Sequence, residues 1–116
     1  MENVTIWHNP RCSKSRQTLA LIENSGKSVE IRNYLENPPS ATELATVLSK
    51  LRMSPRQLLR KGEDAYKALE LNNQNLTDNA LLDAMQNNPK LIERPIVLVS
   101  DRAILGRPPE NVQEFL

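Results

Sequence analysis

The sequence has 116 residues, of which 39% are hydrophobic and 25% charged, and its formal net charge at pH 7 is +1. This length and composition fit one globular domain with a single core, and the near-neutral charge disfavours broad electrostatic binding to nucleic acid or to an anionic membrane. A membrane helix and a secretory leader are not expected from the apolar runs, and the single cysteine excludes an internal disulfide, so a reducing cytoplasm is the expected compartment.

The first third of the chain predicts a strand–helix–strand unit. Val4–Trp7 is an apolar strand, and a helix follows from Ser13 to about Asn24, with Gly26 as a suitable stop. Val29–Ile31 alternates as a second strand, which Asn37–Pro39 ends. Because one helix connects the two strands, we expect them to be parallel.

The middle of the chain is predicted to be helical. Ser40 and Glu43 form a capping box before an apolar stretch with helical spacing. Ser54 followed by Pro55 is a second helix start of the same kind, and Thr77 is expected to cap a third helix that ends before Pro89. We therefore expect a helical insertion, at about 40–88, within a single domain over residues 1–116.

The last part of the chain predicts two more strands and a final helix. Pro95–Val99 reads as a buried strand and Ala103–Leu105 as another, with a connection short enough for an antiparallel hairpin. Glu110–Leu116 can form the final helix. The whole order, β-α-β, helices, β-β-α, matches an α/β thioredoxin-like fold: a mixed four-stranded sheet with an all-helical insertion.

Cys12 is the most informative residue, because it stands where the first strand gives way to the helix. A thiol at a helix start meets unpaired backbone N–H groups and the positive end of the helix dipole, which both favour the thiolate. Arg11, Lys14 and Arg16 add positive charge nearby. A lone cysteine is often a small buried hydrophobic residue, but these neighbours favour an activated thiol. Ser15 occupies the position of the second cysteine of a dithiol oxidoreductase, so a redox cycle must take a thiol from another molecule.

His8 precedes Cys12 by four residues, at the end of the first strand. One interpretation is a surface histidine, or one that is hydrogen-bonded at the sheet edge. The other is a functional role, in which the imidazolium favours the thiolate electrostatically rather than shuttling a proton. Its position near Cys12 keeps the second interpretation open.

Three arginines are candidates for binding an oxyanion near Cys12. Arg94 precedes Pro95, which opens a buried strand, a position where a missing N–H is tolerated; in thioredoxin-like folds such a proline is cis and would aim the preceding residue at the thiol. Arg60 lies in the helical insertion and Arg107 in the turn after the last strand. Taken separately, each arginine is consistent with a solvent-exposed charge on the surface. Together they would supply the fixed cations that a tetrahedral oxyanion needs when a thiolate attacks it.

Two other kinds of site are disfavoured. A metal site of the usual His/Cys type is not expected, because the chain has one histidine and one cysteine. A phosphatase-type thiol site uses Cys-x5-Arg, a loop that wraps the anion, and here Thr18 stands at the arginine position.

Five segments, in order over almost the whole chain, resemble the glutaredoxin-coupled arsenate reductases. They are His8–Cys12, Tyr34–Pro39, Leu58–Lys61, Arg94–Val97 and Gly106–Pro108. The resemblance implies a thioredoxin-like domain of the single-cysteine type. The enzyme is expected to be cytoplasmic and monomeric, and to bind neither nucleic acid nor membrane.

The resemblance further implies a mechanism. In that family the cysteine matching Cys12 attacks arsenate, and a histidine matching His8 lowers the pKa of the thiol. Arginines matching Arg60, Arg94 and Arg107 surround the oxyanion. Glutathione then attacks the adduct, glutaredoxin resolves the mixed disulfide, and arsenite leaves. No bound cofactor is expected, and glutathione is the co-substrate. The supporting residues would be Pro95, Ser15 and Arg16.

Two other functions remain open. A glutathione-dependent thiol oxidoreductase acting on another substrate would keep Cys12 in the same role. A binding module of the Spx type, which binds RNA polymerase and senses oxidants through Cys-x-x-Cys, would share the fold. Ser15 removes that switch, however, and the three arginines would be unnecessary. Arsenate reduction is therefore the leading hypothesis.

Overall fold

The computed structural model describes residues 3–116, which form two compact units. The sheet unit comprises the chain up to Asn37 together with Arg94–Leu116, and the helical unit is Pro38–Glu93. The single domain over 1–116, with its insertion at about 40–88, stays a prediction.

Four strands form the mixed sheet of the sheet unit. They are β1 (Val4–His8), β2 (Val29–Asn33), β3 (Ile96–Val99) and β4 (Arg102–Leu105), and their order across the sheet is β2-β1-β3-β4. β1 pairs parallel with β2 and antiparallel with β3, which pairs antiparallel with β4. The α/β class and the mixed four-stranded thioredoxin-like sheet expected from the sequence are confirmed.

Helix α1 (Ser13–Asn24) connects β1 to β2 and packs on the sheet. Alternate residues of β1 and β3 point to one face, where they meet Ile22 of α1. The buried core of this unit consists of Val4, Ile6, Ile22, Val97, Val99 and Val112. After the helix the chain turns at Gly26, whose φ of 82° favours a glycine. The packing of α1 on the sheet fixes the start of the helix next to the end of β1.

Strand β2 extends beyond the predicted Val29–Ile31 to Asn33, but it ends before the expected stop at Asn37–Pro39. The carbonyl of Asn33 accepts hydrogen bonds from the N–H groups of Glu36 at 3.2 Å and Asn37 at 2.9 Å. The Asn33 side-chain oxygen also accepts from the N–H of Leu35 at 3.2 Å. This Asx turn offers the backbone an alternative to the sheet, so the strand stops at Asn33.

The C-terminal segment is a 3₁₀ helix, Pro109–Phe115, rather than the predicted helix over Glu110–Leu116. Burial of Val112 in the core anchors this segment.

The helical unit contains four α-helices and a short 3₁₀ helix among its residues. They are α2 (Ala41–Leu51), α3 (Pro55–Leu58), α4 (Asp64–Ala68), α5 (Asp78–Asn87) and the 3₁₀ helix Pro89–Leu91. Helix α4 was not expected, because none of its side chains is buried and it therefore shows no apolar periodicity. None of the helices in residues 3–116 has the length and apolar character needed to cross a membrane.

The helix starts in this unit follow the sequence closely. The Ser40 hydroxyl accepts from the N–H of Glu43, and the Glu43 carboxylate accepts from the N–H of Ser40, so the capping box is complete. Helix α3 begins with the same arrangement at Ser54. The Thr77 hydroxyl accepts from the N–H of Ala80 at the start of α5. Caps of this kind each stabilise a helix by about 1 kcal/mol.

Candidate active site

Cys12 lies at the N-cap position of α1, after the short turn that follows β1. Its backbone is extended, with φ −94° and ψ 122°. Its N–H donates to the Asn9 carbonyl at 3.0 Å, and its carbonyl accepts from the N–H of Arg16 at 3.0 Å. These bonds hold the backbone on both sides of the thiol, which is 8% exposed. The sulfur is therefore fixed at the start of the helix.

The surroundings of Cys12 lower the pKa of its thiol. Burial alone would raise that pKa, but the N–H of Ser15, a hydrogen bond and the positive charge of Arg94, and the N–H of Lys14 together outweigh burial. The contact of these N–H groups with the sulfur falls short of a side-chain cap hydrogen bond of ordinary geometry. No acidic residue lies in the first turn of α1 to counter the helix dipole. The result favours the thiolate, which is the nucleophilic form.

Arg94 and Arg107 lie beside this sulfur. The peptide bond between Arg94 and Pro95 is cis, and the Arg94 side chain donates to the Cys12 thiol. Arg107 donates from Nε to the Arg94 carbonyl at 2.8 Å, and its Nη2 lies 3.9 Å from Sγ of Cys12. One guanidinium edge thus spans the Arg94 carbonyl and the thiol. Two of the three arginines singled out in the sequence are brought to Cys12.

His8 contacts Ser15, and its surroundings lower its pKa. Its Nδ1 lies 2.6 Å from the hydroxyl oxygen of Ser15, which also accepts from the N–H of Asn9 at 3.1 Å. Burial, together with the positive charge of Arg16, lowers the pKa of His8, and Glu23 only partly opposes this. This lowered pKa favours the neutral imidazole, and the role of an imidazolium that favours the thiolate stays a prediction. A neutral ring that accepts the Ser15 hydroxyl proton at Nδ1 fits both contacts.

The basic residues next to Cys12 are exposed. Arg16 donates from Nη1 to the carbonyl of Pro10 at 2.9 Å and so braces the turn before the helix. Arg11 and Lys14 also have exposed side chains. The side-chain charge that lowers the pKa of the Cys12 thiol is that of Arg94. Arg94 is far from Cys12 in the sequence, so the residues next to the thiol do not indicate it.

Arg60 belongs to the helical unit, where its surroundings are acidic. Its Nη1 lies 2.6 Å from a carboxylate oxygen of Glu93, and its Nε lies 3.8 Å from Glu63. Its N–H donates to the Leu91 carbonyl at 2.8 Å. The guanidinium is therefore held by carboxylates within its own unit, and its predicted role at the oxyanion stays a prediction.

Three residues that the sequence did not single out as site residues shape the surroundings of the thiol. Asn9 forms an Asx turn, because its side-chain oxygen accepts from the N–H of Arg11 at 3.0 Å. An asparagine between a strand and a helix is a sequence signal for such a turn. Thr18 and Gly106 meet each other although they are 88 positions apart in the chain. No local pattern indicates that contact.

The described part of the chain offers no evident set of metal ligands. Over residues 3–116, no group of three or more His, Cys, Asp or Glu side chains lies together in a way that could hold a metal ion.

Comparison with known proteins places the chain in a family. The model of the ArsC family matches residues 7–115. An arsenate reductase of Neisseria meningitidis is 46% identical, with 100% of each chain covered. An uncharacterized protein of Escherichia coli K12, YfgD, is 49% identical over 99% of this chain and 98% of its own. The solved arsenate reductase from Vibrio cholerae superposes with a TM-score of 0.96 at 48% identity, covering 99% of this chain and 98% of the other.

Proposed function

The chain belongs to the ArsC family, and we propose that it reduces arsenate to arsenite by nucleophilic attack of the Cys12 thiolate. The relatives named as arsenate reductases support the substrate. The observation that carries the proposal is the position of Cys12. Its thiol has a lowered pKa and lies within reach of two guanidinium groups, those of Arg94 and Arg107. Such a site suits an anionic tetrahedral substrate.

In the first step, the Cys12 thiolate attacks the arsenic atom of arsenate. An S–As bond forms, an As–O bond breaks, and the departing oxygen takes up protons and leaves as water. Two anions approach each other in this step, so fixed positive charge lowers its barrier. Arg94 and Arg107 supply that charge without reorganisation, because the Arg107 guanidinium is already anchored on the Arg94 carbonyl.

In the second step, a glutathione thiolate attacks Sγ of Cys12. An S–S bond forms while the electron pair of the S–As bond passes to arsenic, which is reduced from As(V) to As(III) and leaves as arsenite. Cys12 is then in a mixed disulfide with glutathione. Because Cys12 is the only cysteine of the chain, the disulfide cannot be resolved internally.

In the third step, a glutaredoxin thiolate attacks the glutathione sulfur and releases the Cys12 thiolate. A second glutathione then restores glutaredoxin. The sum is one arsenate and two glutathione molecules giving one arsenite, one glutathione disulfide and one water. These thiol partners belong to the cytoplasm, which we propose as the compartment.

The test is arsenite formation by the purified full-length chain. We expect arsenite only when arsenate, glutathione and glutaredoxin are all present, and none from Cys12→Ser. Ser13→Ala, a change at the exposed neighbouring residue, is the matched control and should retain the activity.

Two outcomes would contradict the proposal. Absence of arsenite with the complete thiol system would rule out arsenate as the substrate. If Cys12 also formed a glutathione adduct under those conditions, the chain would be a glutathione-dependent thiol oxidoreductase for another substrate.

Arg60 needs a test of its own, since its proposed role rests on the resemblance alone. Arg60→Lys is expected to raise the KM for arsenate. Arg52→Lys, at an exposed position of the same unit, is the matched control. An unchanged KM in Arg60→Lys would remove this residue from the oxyanion site.

A further inference from the structure

Gly106 lies where the loop that carries Arg107 comes closest to α1 and to the start of β3. Its N–H donates to the Pro95 carbonyl at 3.0 Å. A Cβ added to Gly106 would lie 2.5 Å from Oγ1 and 2.9 Å from Cγ2 of Thr18, and 2.8 Å from Cγ of Pro95. Ordinary contacts between carbon atoms are about 3.5–4.0 Å. The close approach itself therefore requires glycine here, and its φ is not in the left-handed region.

The atoms that such a Cβ would meet cannot easily give way. Thr18 is fully buried, its side chain is branched at Cβ and has few rotamers in a helix, and its hydroxyl donates to the Lys14 carbonyl at 2.8 Å. The Pro95 ring is rigid. A side chain at position 106 would therefore displace the loop rather than its neighbours.

The loop at Gly106 determines where the guanidinium group of Arg107 lies. Arg107 follows Gly106 directly, anchors its Nε on the Arg94 carbonyl at 2.8 Å and reaches toward Cys12 with Nη2. Thr18 is also linked to the first turn of α1, through Lys14, whose N–H acts on the thiol. The contact between Thr18 and Gly106 thus joins the helix that holds the sulfur to the loop that holds an arginine.

We propose that Gly106 is a positioning residue of the thiol site: its missing side chain lets the Arg107 loop lie against Thr18 and Pro95, and this contact holds the guanidinium groups beside Cys12. The proposal rests on the proposed function in one respect: it assumes that the guanidinium groups bind an oxyanion. Gly106 itself touches no reacting atom in this scheme.

The test compares Gly106→Ala with Gly62→Ala. A Cβ at Gly62 meets no atom of the described chain within 4 Å, so this second variant is a matched control. The readout is the rate of Cys12 alkylation by iodoacetamide as a function of pH, which reports the thiolate directly because the chain has no other cysteine. In Gly106→Ala we expect the rate at pH 7 to fall about threefold or more as the pKa of the thiol rises. The KM for arsenate should rise as well. Gly62→Ala should change neither.

A second variant separates positioning from simple loss of stability. Thr18→Ala removes both Thr18 atoms that the added Cβ would meet. Gly106→Ala/Thr18→Ala is therefore expected to move the alkylation profile part of the way back to that of Thr18→Ala alone, in a double-mutant cycle, because only the contact with Cγ of Pro95 at 2.8 Å remains. If Gly106→Ala alone does not fold, the double variant still tests the proposal.

Three results would overturn the proposal. One is a folded Gly106→Ala with the wild-type pH profile. Another is a lower free energy of unfolding with an unchanged profile, which would make the residue merely structural. The third is a double variant that folds no better than Gly106→Ala and whose profile lies no closer to that of Thr18→Ala. Alkylation needs no arsenate, so this proposal can fail or succeed independently of arsenate reduction.

Discussion

Helices α1 and α2 begin in opposite ways. At α2, the Ser40 hydroxyl accepts from the N–H of Glu43 at 3.1 Å and the Glu43 carboxylate accepts from the N–H of Ser40 at 3.2 Å. At α1, Cys12 holds the same position without a side-chain cap hydrogen bond. The N–H groups of the first turn of α1 act instead on a sulfur that can become an anion.

The third residue of each helix explains the difference. In α2 it is Glu43, which bonds back to the cap residue. In α1 it is Ser15, whose hydroxyl contacts His8 and the N–H of Asn9. A helix start can therefore satisfy its own N–H groups and add stability, or leave them for a reacting group. The residues at the cap and the third position show which of the two applies.

The largest expected effect is a loss of activity without a loss of stability when Cys12, at the start of α1, is replaced. Cys12→Ser should abolish arsenite formation, a loss of at least about a thousandfold, because the nucleophile is gone. The free energy of unfolding should stay the same or rise by about 0.5 kcal/mol, because serine is a good N-cap residue. Denaturant unfolding measures the second quantity. A fall of about 2 kcal/mol would show that Cys12 also stabilises the helix and would break the comparison.

The next effect concerns the charge next to α1. Arg107→Lys should lower kcat/KM for arsenate about tenfold, because an ammonium group cannot both anchor on the Arg94 carbonyl and reach the thiol. Arg102→Lys, at an exposed position on β4, is the control. Equal kinetics for the two variants would show that Arg107 is not required at the site.

A smaller effect is expected at α2. Ser40→Ala should lower the free energy of unfolding by about 1 kcal/mol, because the cap hydrogen bond is lost. The pH profile of Cys12 alkylation should not change. The comparison of the two helix starts would fail if Ser40→Ala shifted that profile and left stability intact.

The smallest effect is a pH dependence of stability. The folded protein lowers the pKa of His8, so the unfolded chain binds the proton more readily. Stability should therefore fall as pH drops below about 6.5, the ordinary pKa of histidine, toward the lowered value in the folded protein.

His8→Asn tests this effect, because its side-chain amide can take the place of Nδ1 next to Ser15 and does not titrate. Urea unfolding at pH 7 and pH 5.5 should show a smaller loss for the variant than for the wild type. An equal loss would assign the pH dependence to other groups.

Local signals in the sequence predicted most of the fold. Apolar runs marked the strands, and Ser40, Ser54 and Thr77 marked helix starts, because caps depend on residues three positions apart. The pairing of β1 with β3 was not predicted, because the order of strands in a sheet is set by packing between residues that are far apart in the sequence. Helix α4 was missed because it buries no side chain.

The candidate site was only partly predictable. Cys12 could be found from its neighbours, because the helix start acts locally. Arg94 and Arg107 came from the resemblance and from the expected proline, and their hydrogen bond to each other could not be read from the sequence. The sequence left the charge of His8 open, because its pKa depends on burial and on Arg16 rather than on sequence distance to Cys12. The close approach of Gly106 to Thr18 exists only in three dimensions.

Ser15 also bears on how a one-thiol catalyst could become a two-thiol one. It stands where a second cysteine would resolve the disulfide within the chain, but its side chain is fully buried. Its hydroxyl joins the end of β1, the turn at Asn9 and the helix. A sulfur atom is larger and a weaker hydrogen-bond acceptor, so Ser15→Cys would add a thiol and loosen that junction together. A second thiol at this position would therefore weaken the hydrogen bonds that hold the start of the helix carrying Cys12.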